Sequence, residues 1–364
     1  MTPRDRHLMN LRHERPDRPP TMMSVRIEVA RELMKYFGVD TFGEVQRILG
    51  TDGWGRVGME VDFPEYASKT NGRLDGDFPY AGREYILHDD GTFEDEWGVV
   101  RRVGADGKYV EWVRGPLENA EDPDEYDFPG PERLVLDPHL ADRIQQMKDD
   151  GMYVATGCDM PYKTAWELRG MENTLADYIV NPEFLEKLYD RIHVLCETWL
   201  VRATEAGVDE IGFGGDVAMQ DRIIMGPNAW RRIDKPRIKA TIERCKRINP
   251  DVHVKIHSDG KLWDIMDDLI EIGFDVIDPI QPECMDPVEV KRKYGDRIVL
   301  HGCGSIQRTL PFGTVDDVRK EVSDIIVHCG YNGGLVIRPS NVVGFDCPLE
   351  NVVAFYETAR DWRW

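Results

Sequence analysis

The sequence predicts an α/β fold, a (β/α)8 (TIM) barrel, and three observations carry that prediction. From residue 152 onward, short apolar runs alternate with helical patterns in six successive units. Histidines, acids and thiols recur where these runs end, the edge at which such barrels place their chemistry. No GxGxxG or GxxxxGK[ST] pattern follows a strand, which counts against a doubly wound nucleotide-binding sheet. The chain is read as one domain over residues 1–364, with an N-terminal helical segment 1–40 and an antiparallel β-meander inserted at 84–115.

Taken in order, residues 3–13 predict a short amphipathic helix. Residues 24–37 predict a second, with Val25, Val29, Leu33 and Phe37 on one side and Gly38 as its stop. Met59–Phe63 reads as a strand. Residues 84–115 alternate in polarity, with turn signals at Asp90-Gly91 and Asp106-Gly107. They predict a three-stranded meander, either a rim or partial lid at the barrel mouth or a surface hairpin without a role there. The Pro- and acid-rich stretch 116–132 reads as an exposed linker.

The regular part follows: helix 137–149, strand 152–156 and helix 165–179. Asn181 then caps a helix whose buried stripe is Phe184, Leu185, Leu188, Ile192, Leu195 and Trp199. Strands are expected at 209–213, 252–256, 275–278, 297–300 and 334–338. Pro227 and Pro236 are expected to open two successive helices. Helix 315–329 is capped by Thr314 and stopped by Gly330, and Pro348–Arg360 is the last helix. Met59–Phe63 and a first strand near 20–25 bring the strand count to eight.

Composition narrows the function. The 364 residues are 41% hydrophobic and 31% charged, enough for a large core. No apolar run is long enough to span a membrane, and the polar N-terminus lacks a signal core, so a cytoplasmic location is expected. The net charge of −21 without a basic stripe argues against nucleic acid. Seven cysteines without CxxC spacing argue against a disulfide framework or a zinc ribbon. Of these, Cys196, Cys245 and Cys329 fit helical core positions.

The stretch Val252-His-Val-Lys-Ile-His257-Ser-Asp259-Gly260 organises the chemistry. An imidazole and a carboxylate stand two residues apart where a strand hands over to a helix, and together they can hold a divalent metal. Other strand ends contribute Cys158 and Asp159; Asp216; Glu283 and Cys284; His301 and Cys303; and Arg338, Asn341 and Cys347. His257, Asp216 and His301 are the candidate catalytic groups. A metal would take His257, Asp259, Glu283 and Cys303. Met219, Trp230, Arg338 and Asn341 are the candidate substrate contacts. A metal-free site with His257 as general acid is the competing arrangement.

The residues also carry a family likeness. The opening TPRDRHLMNLRHERPDRPP, Trp166-Glu-Leu-Arg-Gly-Met-Glu-Asn173, Asp209-Glu-Ile-Gly-Phe213 with Asp216, the His257 segment and Pro348-Leu-Glu-Asn-Val352 fall in order. This pattern resembles the uroporphyrinogen decarboxylase superfamily over nearly the whole chain. The resemblance implies a (β/α)8 barrel with its site in the mouth. The Arg-Gln-Ala-Gly-Arg-Tyr motif of the true decarboxylases is replaced here by Pro20-Thr-Met-Met-Ser-Val-Arg26. The thiol methyltransferases of the superfamily hold zinc with His-x-Cys and a later Cys. Here His257 is kept, while Asp259 and Asn341 stand at the two thiolate positions.

Gly302-Cys-Gly-Ser-Ile-Gln307, Thr309-Leu-Pro-Phe-Gly313 and Gln281-Pro-Glu283 are similar to the corrinoid-dependent branch that demethylates methyl ethers. That likeness implies transfer of a methyl group from an O-methylated, aromatic small molecule to the cobalt of a separate corrinoid protein, with zinc at the site. No Asp-x-His-x-x-Gly pattern occurs, so the corrinoid is expected on another polypeptide. The alternatives are a uroporphyrinogen-type decarboxylase, a methylcobamide:thiol methyltransferase, or a catalytically silent partner subunit. A homodimer stays open.

Overall fold

The computed structural model of the protein describes residues 1–76, 80–105 and 107–364. Its strands are β1 (Trp54–Arg56), β2 (Gly72–Arg73), β3 (Glu84–Leu87), β4 (Thr92–Glu94), β5 (Val100–Val103), β6 (Val110–Arg114), β7 (Tyr153–Asp159), β8 (Glu210–Gly214), β9 (His253–His257), β10 (Val276–Asp278), β11 (Val299–His301) and β12 (Leu335–Val336). Seven of them form one curled parallel sheet in the order β1-β7-β8-β9-β10-β11-β12. β2 to β6 form a separate antiparallel sheet. The architecture is α/β and TIM-barrel-like.

The expected first strand near 20–25 is reduced to isolated bridges, Thr21 to Ile337 and Val25 to Val343. The Thr21 carbonyl also accepts the Asp52 N–H at 2.7 Å. Pro19 and Pro20 have no N–H to donate, so a regular ladder cannot form there. Met59–Phe63 is not a strand; only Val61 bridges Leu134. The strand lies earlier, at β1, where Gly55 hid it. A Cβ at Gly55 would sit 2.7 Å from Met147 Sδ and 3.1 Å from Val154 Cγ2, so the helix Leu140–Asp149 needs glycine there.

Two helix expectations change. The predicted 165–179 helix is two, Pro161–Arg169 and Met171–Val180, broken at Gly170 with φ of 86°. Pro236 does not open a new helix but lies inside Pro227–Ile248. The buried stripe Ile233, Ile238, Ile242 and Cys245 holds that helix together across the missing N–H. The Arg237 guanidinium donates to the Ile233 carbonyl at 2.7 Å in the same stretch.

The insertion also has more strands than its turn signals suggested. The unread turn is at Gly98, φ 74°, where the Asp95 carboxylate accepts the N–H groups of Trp97 and Val99, both at 3.0 Å. Of the turn expected at Asp106-Gly107, Asp106 lies outside the described residues. The insertion seats on the helix Pro161–Arg169, with Trp112 Nε1 donating to the Glu167 carbonyl at 2.8 Å. Although no framework was expected, Cys158 and Cys196 are joined, their Cα atoms 5.7 Å apart. Among the described residues, no helix is long and apolar enough to cross a membrane.

Strand parity separates core from lumen. Val154, Ile211, Phe213, Val254, Ile256, Ile277 and Leu300 face the helices and join the main core. Tyr153, Val276, Val299 and Val336 face inward with Leu11, Met22 and Trp54. His253, Lys255 and His257 therefore also face inward. Trp54 floors the lumen: Lys255 Nζ lies 4.5 Å from its ring centroid, and the His301 ring centroid lies 6.2 Å away.

Candidate functional site

The site begins with register. His257 ends β9, Asp278 ends β10, and the two are directly paired. His257 Nδ1 is 3.1 Å from Asp278 Oδ2, and His301 Nδ1, at the end of β11, is 2.7 Å from Asp278 Oδ1. Arg338 Nη1 lies 3.4 Å from Asp278 Oδ2. Burial alone would raise the Asp278 pKa, but Arg338, His301 and His257 hold it well below the usual carboxylate range. Burial works on His257 in the opposite sense; its contact with Asp278 outweighs that and holds its pKa above the ordinary value. With Nδ1 on the carboxylate, His257 keeps Nε2 for another partner.

The loop after β9 folds back over the loop after β8. Gly260 has φ of 93°, and a Cβ on it would sit 2.5 Å from the Met219 carbonyl oxygen. Lys261 N–H donates to that oxygen at 2.8 Å, and Gly260 N–H donates to Gln281 Oε1 at 3.0 Å. This fold-back lets Asp216 Oδ1 accept the Asp259 N–H at 2.9 Å. Asn341 Nδ2 donates to Asp259 Oδ2, while Asp259 Oδ1 is buried without a partner. Ligand atoms of Asp216, His257 and Asp259 all lie within 4.8 Å of one another.

The other expected residues divide. Asn341 belongs to the site through Asp259, and half-exposed Met219 stands on its rim. Arg338 is buried against Asp278 and the Pro339 carbonyl, so it anchors the floor. His301 is 1% exposed, with Nδ1 on Asp278 and Nε2 3.1 Å from Met22 Sδ. Burial moves its pKa down to about 4, so it stays neutral and supports Asp278 instead of facing the mouth.

Three residues are not brought into the cluster. Glu283 turns to Ser305 Oγ and lies 3.8 Å from Arg308 Nε. Cys303 follows Gly302, whose φ of 70° turns the chain away, and burial pushes its thiol pKa well up. Trp230 is fully buried in the helical layer and is core, not pocket.

Sequence reasoning missed Asp278, although an acid at a strand end on the same inward parity as His257 was a usable signal. It also missed the cavity beside the site. That cavity, of about 820 Å³, is lined by Arg26, Tyr109, Ile306, Asn341, Val342 and Phe345 among others. The insertion thus contributes Tyr109 to the mouth, as a rim.

The family model described as uroporphyrinogen decarboxylase (URO-D) matches residues 107–362. The chain belongs to the URO-D family. No curated protein matches it. Among solved structures, this URO-D chain is similar to a methyltransferase from Methanosarcina mazei at 19% identity and a TM-score of 0.66. That match covers 99% of this chain and 98% of the other. The endo-fucoidan hydrolase MfFcnA4 from glycoside hydrolase family 107 follows at 11% identity and a TM-score of 0.34, covering 92% of this chain and 50% of that one. Only the first likeness bears on the URO-D fold, and it is a likeness of fold.

Proposed function

We propose that this URO-D family member is a methyltransferase that removes the methyl group of an O-methylated aromatic compound and delivers it to the cobalt of a separate corrinoid protein. The barrel would be closed as (β/α)8, with the segment 20–25 in the place of the first strand. The observation that carries the reading is the convergence of Asp216, His257 and Asp259 at one mouth, with a buried carboxylate oxygen left unpartnered.

That donor set fits a divalent ion such as zinc, which accepts imidazole and carboxylate ligands and leaves a position open in catalytic sites. His257 would offer Nε2, and Asp216 and Asp259 one oxygen each. Asp278 would fix the His257 tautomer, as second carboxylates do behind metal-bound histidines. Bound there, the ion supplies Lewis acidity at the ether oxygen, and the corrinoid supplies a Co(I) nucleophile. The methyl carbon–oxygen bond breaks toward oxygen, so the aromatic product leaves as a phenolate. Met219 and Asn341 hold the ether end against the cluster, and the Tyr109 and Phe345 rim shields it from water.

The test supplies a reduced corrinoid protein and a methoxylated aromatic. Loss of the Co(I) absorbance should match release of the free phenol one to one, and both should vanish in His257→Ala. Phenol release without a corrinoid, or carbon dioxide release from a tetrapyrrole, would overturn the assignment.

A further inference from the structure

Among the described residues, the lumen holds a cation that no other side chain pairs with. Arg56 ends β1 on the same face as Trp54, because Gly55 between them faces the helix Leu140–Asp149. Trp54 floors the lumen, so Arg56 stands one inward position above that floor. Lys255 also touches the Trp54 ring, and His257 stands one inward position above Lys255. Arg56 and His257 therefore face the lumen at the same height, from strands separated by β7 and β8.

Those two intervening strands carry inward side chains only below this level, at Tyr153, Ala155 and Glu210, and above it, at Asp159. Their inward positions at this height are Gly157, Gly212 and Gly214, between outward-facing Thr156, Ile211 and Phe213. A Cβ on Gly214 would meet only Asp159 Oδ1 at 3.5 Å and the Cys158 carbonyl oxygen at 3.8 Å. The wall between Arg56 and His257 thus presents a slot's breadth of glycine peptide without side chains, above the Trp54 indole. The other two inward cations are committed: Lys255 Nζ pairs with Glu210 Oε1 at 2.9 Å and Arg338 with Asp278. The Arg56 side chain is exposed and, among the described residues, its guanidinium makes no hydrogen bond or ion pair.

We propose that this slot takes a planar aromatic acid end-on, its carboxylate forked on the Arg56 guanidinium and its methoxy group at His257. The proposal rests on the methyl-transfer reading and specifies its substrate class. A guanidinium matches a carboxylate through two parallel N–H donors. A ring fits where side chains are missing on one wall. The polarity is one-way, because Asp216 and Asp259 offset the charge of the ion they would hold at the His257 end, while the Arg56 guanidinium at the other end has no carboxylate beside it.

The test is titration calorimetry of the intact protein with 4-methoxybenzoate and with uncharged 4-methoxybenzamide, alongside corrinoid methylation. Arg56→Gln should weaken 4-methoxybenzoate by roughly 10- to 100-fold, the worth of a charge-assisted pair, and leave 4-methoxybenzamide unchanged. Gly214→Ala, whose new methyl group meets no backbone clash, should weaken both by filling the slot.

Equal affinity for acid and amide, untouched by Arg56→Gln, overturns the slot assignment while methyl transfer can still be seen. Arg56-dependent binding of the acid without methyl transfer to any corrinoid protein supports the slot and overturns the parent reading. Binding of neither probe overturns both.

Discussion

The imidazole of His257 meets the carboxylate of Asp278 through Nδ1 at 3.1 Å, and the same carboxylate also holds His301 and Arg338. One buried acid thus sets the tautomer of the ring that faces the mouth. Asp278→Asn keeps the shape but removes the charge, leaving Arg338 buried without a counter-ion. Removing one partner of such a pair costs about 3–5 kcal/mol, so the midpoint of chemical denaturation should fall well below that of the unaltered protein. Metal affinity should drop by about 10- to 100-fold, as it does when a second carboxylate behind a ligating histidine is lost. An unchanged denaturation midpoint would show that Asp278 carries no such load.

The cluster makes a sharper statement about which residues ligate. His257→Ala, Asp216→Ala and Asp259→Ala should each strip most of the zinc from purified protein, measured by elemental analysis after dialysis. Glu283→Gln and Cys303→Ala should retain it, because Glu283 is turned to Ser305 and Cys303 is buried away from the mouth. Zinc lost from Cys303→Ala but kept in Asp216→Ala would restore the ligand set expected from sequence.

That contrast shows what the sequence could and could not disclose. The strand–helix alternation and the residues at strand ends were legible, because burial on two faces leaves a periodic trace. His257, Asp216 and Asp259 were found that way. Glu283 and Cys303 also follow strands, yet Glu283 is drawn to Ser305 Oγ, and Gly302 rotates the chain and sends Cys303 into the core, away from the mouth. A single φ angle of that kind leaves no periodicity. Parity could have placed Asp278 at the lumen, but its pairing with His257 could not be read, because register is not written in either strand alone. Trp230 was misplaced because an aromatic at helical spacing looks alike whether it lines a pocket or fills a core. Its full burial means that Trp230→Ala should destabilise by about 3–5 kcal/mol, read as a lowered denaturation midpoint.

A second buried acid predicts a pH dependence away from the site. Asp234 accepts the Tyr178 hydroxyl at 2.8 Å and is 1% exposed. Burial carries its pKa from 3.8 up to about 7. Between those values the folded state holds a proton that the unfolded state has released. Its contribution to stability is therefore full below about 4 and is lost as pH rises toward 7. Asp234→Asn removes this penalty. The stability of the variant relative to the parent should grow by roughly 2–4 kcal/mol between pH 4 and 7 and stay level above. Denaturant midpoints for both proteins across that window measure it, and a difference that does not vary with pH would mean that Asp234 is ionised throughout.

A buried guanidinium links the insertion to the barrel. Arg101 on β5 pairs with Asp95 inside the insertion, and its Nη2 lies 3.2 Å from Glu167 Oε2 on the helix Pro161–Arg169. Its side chain is 5% exposed, so the pairing is not dissolved by water. Arg101→Met fills similar space but leaves Asp95 buried without a counter-ion, with only the Trp97 and Val99 N–H groups as partners. Removing one partner of a buried pair costs about 3–5 kcal/mol, charged here to the seating of the insertion and not to the barrel core. Proteolysis under native conditions should then cut within 84–115 first, while residues 137–364 stay intact. Arg101→Lys keeps a charge beside Asp95 but loses the fork that reaches Glu167, and should fall between the two. Cleavage of the Met variant at the parent's rate would mean that Trp112, donating to the Glu167 carbonyl, seats the insertion without Arg101.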